Sequence, residues 1–111
     1  MRVELLDWEA ARPLAAPIRF KVFVEEQKVP AELEIDERDP LCVHALAWSE
    51  NGKALGTGRL LPDGHIGRMA VLASARKLGV GSALLTALMD EARRRGHAHA
   101  ALSAQTHAIA F

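Results

Sequence analysis

Asn51-Gly52 and Pro62-Asp63-Gly64 are tight-turn signals, and they divide the middle of the chain into three short apolar segments joined by links that suit only hairpins. Val43 to Trp48, Ala54 to Leu61 and His65 to Leu72 are therefore predicted to form an antiparallel meander, with Val3 to Leu6 as a further strand. The hydrophobic period then changes. From Gly81 onward Leu84, Leu85, Leu88, Met89 and Ala92 recur at helical spacing up to Gly96. Arg93, Arg94 and Arg95 fall in the last turn, where cations favour the negative helix end, and Gly96 supplies the stop. Ser74 to Gly81 is a loop, and Ala98 to Ala104 is predicted as a strand, although the alanine-rich end of the chain reads as strand or helix. A strand, a helix and a strand in succession from His65 to Ala104 are expected to lie as parallel neighbours joined by a right-handed crossover.

The first part of the chain is less regular. Asp7 could cap a helix, but Pro13 and Pro17 are expected to interrupt any helix before Ile18. The first helix is therefore placed from about Pro17 to Glu26, with Ile18, Val22 and Phe23 on its apolar stripe and Val29-Pro30 ending it. Ala31 to Pro40 reads as an acidic loop or a short helix. With 111 residues, half of them apolar, there is room for one domain over 1–111 and not for two. The fold class is α+β: a mixed, mostly antiparallel sheet flanked by helices.

Charge and cysteine content narrow the function. Fourteen basic and fourteen acidic side chains cancel, so the broad positive field of a general nucleic-acid binder is missing. The charges are nevertheless segregated. Seven carboxylates lie between Glu25 and Asp39, whereas Arg76 to Arg95 is mostly basic, so an anion favours the second half. No segment approaches the roughly 18 apolar residues of a membrane span, so no membrane role is expected. Cys42 is alone and cannot form an internal disulfide, which fits a reducing, cytoplasmic setting.

The most informative segment is Arg76-Lys77-Leu78-Gly79-Val80-Gly81-Ser82, between a strand and the strongest helix. Backbone N–H groups at a helix start lack intrahelical partners and carry partial positive charge, and two glycines let an anion come close. Arg76 and Lys77 add charge. A P-loop would need four residues between its glycines and then Lys-Ser/Thr, and a dinucleotide fingerprint would need a small residue where Leu84 stands. An ordinary loop before a helix remains the plain alternative.

Arg76-x-x-Gly79-x-Gly81, after a strand ending Met69-Ala70-Val71, resembles the pyrophosphate loop of the GNAT N-acetyltransferase superfamily. Val22-Phe23-Val24-Glu25-Glu26-Gln27-Lys28-Val29-Pro30, Glu34-Ile35-Asp36, His44, Gly56-Thr57-Gly58-Arg59 and Leu102-Ser103-Ala104-Gln105-Thr106-His107 are similar to its ElaA-like branch. The resemblance implies transfer of an acetyl group from acetyl-coenzyme A to a primary amine by direct attack on the thioester. The amine could belong to a small molecule or a peptide. It also implies that Met69, Ala70 and Val71 bond the pantetheine arm and that the Val71 N–H faces the thioester carbonyl, stabilising the oxyanion as it develops. Arg76, Lys77, Leu78, Gly79, Val80, Gly81 and Ser82 would hold the pyrophosphate, and Gln105 would face the cofactor. The other reading of the same loop is a non-catalytic coenzyme A binding or interaction module.

After a stretch like Gln105 to Phe111, members of the family continue with a tyrosine that protonates the leaving thiolate, then a helix and further strands. This chain ends at Phe111 and contains no tyrosine. The resemblance thus implies a domain lacking the C-terminal segment, with a sheet edge open to a second copy of itself. No catalytic residue is assigned. An amine of pKa near 10 needs a base, and Glu25, Glu26, His44, His65 and His107 are all candidates. Cys42 with His44 and His97 with His99 have same-face spacing, but no third and fourth ligand accompanies them and no metal is expected. Arg59 either pairs with an acid of the Glu32 to Asp39 stretch or orients an acceptor carboxylate.

Overall fold

The computed structural model describes residues 1–31, 36–97 and 101–102. Its sheet has five strands in the order β1-β2-β3-β4-β5: β1 (Arg2–Leu6), β2 (Val43–Trp48), β3 (Ala54–Leu60), β4 (His65–Val71) and β5 (Ala101–Leu102). The first four pair antiparallel, and β5 pairs parallel to β4 through His65 with Ala101 and Ile66 with Leu102. This is the mixed, mostly antiparallel sheet that the turn signals and the strand–helix–strand succession predict. No helix among the described residues is long and apolar enough to cross a membrane.

Helices cover both faces. On one face lies α1 (Trp8–Arg19), continuing into a π-helix over Phe20–Glu26; on the other lies α2 (Val80–Arg94). The start of α1 corrects the sequence reading, because Pro13 and Pro17 sit inside the helix instead of breaking it. Asp7 caps it, accepting from the Ala10 N–H at 2.9 Å. The two prolines are four residues apart and both exposed, so the carbonyls they leave unbonded fall on the solvent side, where water can satisfy them. The opposite stripe, Trp8, Ala11, Ala15, Ile18 and Arg19, is buried. In the π-helix the wider turn turns the adjacent Val22 and Phe23 together onto Ala70 of β4.

Alternation along β3 explains how closely α2 approaches. Thr57 faces α1, its Oγ1 donating to the Ala45 carbonyl at 2.8 Å, while Gly56 and Gly58 face α2. A Cβ on Gly56 would stand 2.9 Å from the Ala70 carbonyl oxygen and close to Leu84 and Val80. One on Gly58 would meet Met69 Sδ and Leu88. Leu84, Leu88 and Ala92 pack there, with Ala45, Ala47, Leu60 and Ile66 beneath them. Gly56→Ala is expected to destabilise the protein by about 1–3 kcal/mol in urea unfolding, because a backbone oxygen cannot step aside. Gly58→Ala should cost less, since the end of a methionine can move.

Candidate active site

The end of β4 departs from regular pairing. Thr57 opposes Ala70 but Arg59 opposes Gly67, so β4 carries one extra residue there, and Arg68 takes a left-handed φ of 50°. Beyond the bulge Val71 opposes Gly56, and the neighbouring Leu72 N–H donates to the Leu55 carbonyl at 2.9 Å. In an antiparallel ladder that pattern turns the N–H and C=O of Val71 away from β3, toward the side where β5 lies. Met69, Ala70 and Val71 are all buried.

From Val71 the chain makes a short 3₁₀ turn at Ala73–Ala75 and then the loop that enters α2. Lys77 (φ 66°) and Gly79 (φ 81°) are both left-handed, and Gly79 is the N-cap of α2 without any side-chain cap. The first bond inside the helix runs from the Ala83 N–H to the Gly79 carbonyl. The N–H groups of Val80, Gly81 and Ser82 thus stand before the first intrahelical bond, at the positive end of a 15-residue helix. Lys77, Leu78, Gly79 and Ser82 are exposed, whereas Val80 and Gly81 are buried. Uncapped donors at a helix start, with Lys77 close by in the chain, suit a phosphate-bearing anion.

Arg76 is turned elsewhere. Its Nε donates to the Val71 carbonyl at 3.1 Å and its Nη2 to Glu26 Oε2 at 2.8 Å. Gln105, His107, His99, Glu32 and Glu34 lie outside the described residues. Of the remaining base candidates, Glu25 is exposed, His65 is paired with Asp63 at 3.0 Å, and His44 is buried with Nε2 2.9 Å from the Asp39 carbonyl oxygen. Burial holds the His44 imidazole below its ordinary pKa. Cys42 Sγ donates to the Arg38 carbonyl, and burial pushes its thiol up. Among the described residues no three His, Cys, Asp or Glu side chains converge as a metal site.

Beneath the site, on the α1 face, is an ionic cluster. Asp39, wholly buried, accepts from Arg19 Nη1 at 2.8 Å and Nη2 at 3.1 Å, and from Arg59 Nη1 at 2.9 Å. Asp36 accepts from both terminal nitrogens of Arg59 and from Arg68 Nη2. Of the two roles open to Arg59, pairing with the acids is the one observed. Arg19 escaped the sequence reading. It lies inside the helix expected from Pro17 onward, but a charged residue next to Ile18 carries no local sign that it turns inward. Bonds from Arg59 lower the Asp36 carboxyl to about 2. Burial pushes Asp39 up, but Arg19 and Arg59 more than offset it and hold it below the ordinary value.

Comparison with known proteins identifies this architecture. The family model described as "Acetyltransferase (GNAT) family" matches residues 4–111. The chain belongs to the GNAT acetyltransferases. It is 40% identical over 97 residues to the uncharacterized N-acetyltransferase YjcF of Bacillus subtilis, covering 85% of this chain and 69% of that protein. The crystal structure of an acyl-CoA N-acyltransferase from Pseudomonas aeruginosa superposes with a TM-score of 0.80 at 29% identity, covering 96% of this chain and 80% of that one. Escherichia coli ElaA superposes at 0.81 with 24% identity, covering 96% and 79%.

Gly79→Ala, forced into a left-handed conformation, should lower stability by about 1–2 kcal/mol in urea unfolding. The cluster makes stability fall with acid. His44 has a depressed folded pKa, so the unfolded chain binds its proton first and stability declines as pH drops below about 6.5. Asp36 and Asp39 are also depressed, so their contribution is complete above 3.8 and is lost as pH falls toward 2. Urea midpoints measured from pH 8 to 2 should decline in two stages, and Asp39→Ala should cost about 3–5 kcal/mol at neutral pH by removing the buried carboxylate that pairs with Arg19 and Arg59.

Proposed function

We propose that this GNAT acetyltransferase takes its acetyl group from acetyl-coenzyme A and passes it to a primary amine on a small molecule or peptide, working in the cytoplasm. The observation that carries the reading is the pairing of two donor sets one short loop apart. The Val80, Gly81 and Ser82 N–H groups at the start of α2 meet the pyrophosphate. The Val71 N–H, turned off the edge of β4, meets the thioester carbonyl.

Bound acetyl-coenzyme A supplies an activated acyl carbon and a thiolate leaving group. Met69 to Val71 align the pantetheine arm alongside β4, and the loop from Lys77 to Ser82 anchors the pyrophosphate. The amine nitrogen forms a bond to the acyl carbon as the carbon–sulfur bond breaks, and the Val71 N–H donates to the carbonyl oxygen as negative charge gathers there. The amine's proton leaves to a base, and the thiolate takes up a proton from solvent or a side chain.

Millimolar coenzyme A should raise the melting temperature by about 4 °C or more, because only the folded loop presents converging donors. Gly81→Val should abolish that shift, its branched side chain obstructing the phosphate. A melting temperature that coenzyme A leaves unmoved would sink the assignment. Release of free thiol from acetyl-coenzyme A in the presence of a polyamine, an amino sugar and a short peptide then tests transfer itself.

A further inference from the structure

Arg76 is the first cation of the phosphate loop, yet its Nε and Nη2 donate to protein. One guanidinium joins three segments. Its Nε holds the Val71 carbonyl at the end of β4, and its Nη2 holds Glu26, the last residue of the π-helix, whose Val22 and Phe23 already pack on Ala70. The side chains of Arg76 and Glu26 are 29% and 33% exposed, and a pair that open to solvent adds little to stability by itself. Its effect is geometric. In a strand the N–H and C=O of one residue point the same way, so the carbonyl that Arg76 grips belongs to the residue whose N–H is offered to the thioester.

Turning Arg76 toward a pyrophosphate would break both hydrogen bonds and leave the Glu26 carboxylate facing a second anion without its cation. The loop has no need of that exchange, since three uncapped N–H groups and Lys77 already serve the phosphate. We propose that Arg76 and Glu26 are a positioning pair for acetyl transfer, fixing the angle of the Val71 N–H, and that Arg76 is not a pyrophosphate ligand. This rests on the function proposed above and assigns to two of its residues a role in turnover distinct from cofactor affinity.

The test compares Arg76→Ala, Arg76→Lys, Glu26→Gln and the double variant Arg76→Ala/Glu26→Gln. The probes are acetyl-coenzyme A turnover with the amine panel and equilibrium binding of coenzyme A and of pantetheine, which lacks the pyrophosphate. A positioning pair predicts that kcat falls about 10- to 100-fold while KM for acetyl-coenzyme A moves less than about threefold. Glu26→Gln alone should produce most of that loss, and the double variant should be no worse than Arg76→Ala. Arg76→Lys should not rescue turnover, because an ammonium cannot span both partners. If Arg76→Ala instead weakens coenzyme A about tenfold more than pantetheine while Glu26→Gln is neutral, Arg76 is a phosphate ligand and the proposal falls. Hydrogen exchange of the Leu72 amide in the ligand-free protein separates this from the wider assignment. Glu26→Gln should speed that exchange about tenfold with no change in global stability. Unchanged exchange overturns the positioning pair even where coenzyme A binds. Faster exchange in a chain that binds no coenzyme A overturns the cofactor reading instead.

Discussion

The carboxylate of Asp39 lies wholly inside the protein between guanidinium groups from α1 and β3, and much of the α1 face is arranged around it. A buried charge survives only when its hydrogen-bonding capacity is filled, and here Arg19 supplies two bonds and Arg59 a third. The same residue's backbone carbonyl meets His44 on β2, and Arg59 passes on to Asp36, which reaches Arg68 at the bulge in β4. A chain of ionic contacts therefore crosses from α1 through the acidic segment to the strand that carries the site. Such a cluster is a poor source of net stability, but it tolerates few arrangements, and it fixes where α1 and the segment after it sit on the sheet.

On the other face the arrangement is apolar and close. Small residues on β2 and β3 allow the leucines of α2 to approach the sheet, and the loop before α2 is short, so the helix start is held near the end of β4. Polar specificity on one face and tight packing on the other converge on Val71. The strand between them presents its backbone where regular pairing has been interrupted.

The meander, the amphipathic α2 and the glycine loop were legible in the sequence because each depends on local chemistry: turn residues, a helical period, and glycines before a helix. The start of α1 was misread for a physical reason. Proline is judged by the hydrogen bond it lacks, and what that costs depends on whether the freed carbonyl meets water, a fact of tertiary placement. The ionic cluster was half visible. Arg59 and the acids could be matched by charge, but Arg19 gave no sign that it turned inward, and its partner lies twenty residues away. The link between Glu26 and Arg76 spans fifty residues and has no local signature at all.

The glycines of β3 have a bearing beyond packing. A helix that rests directly on a sheet has its height and tilt set by the thickness of the layer below, and the direction in which its first N–H groups point follows from that tilt. Gly56 lies under Val80 and Leu84 in the first turns of α2, and Gly58 lies under Leu88, so β3 sets the height at which the helix start and the loop before it stand. The aim of the loop is thus governed from a neighbouring strand. A side chain added at either glycine would re-aim the helix start without altering the loop's own sequence.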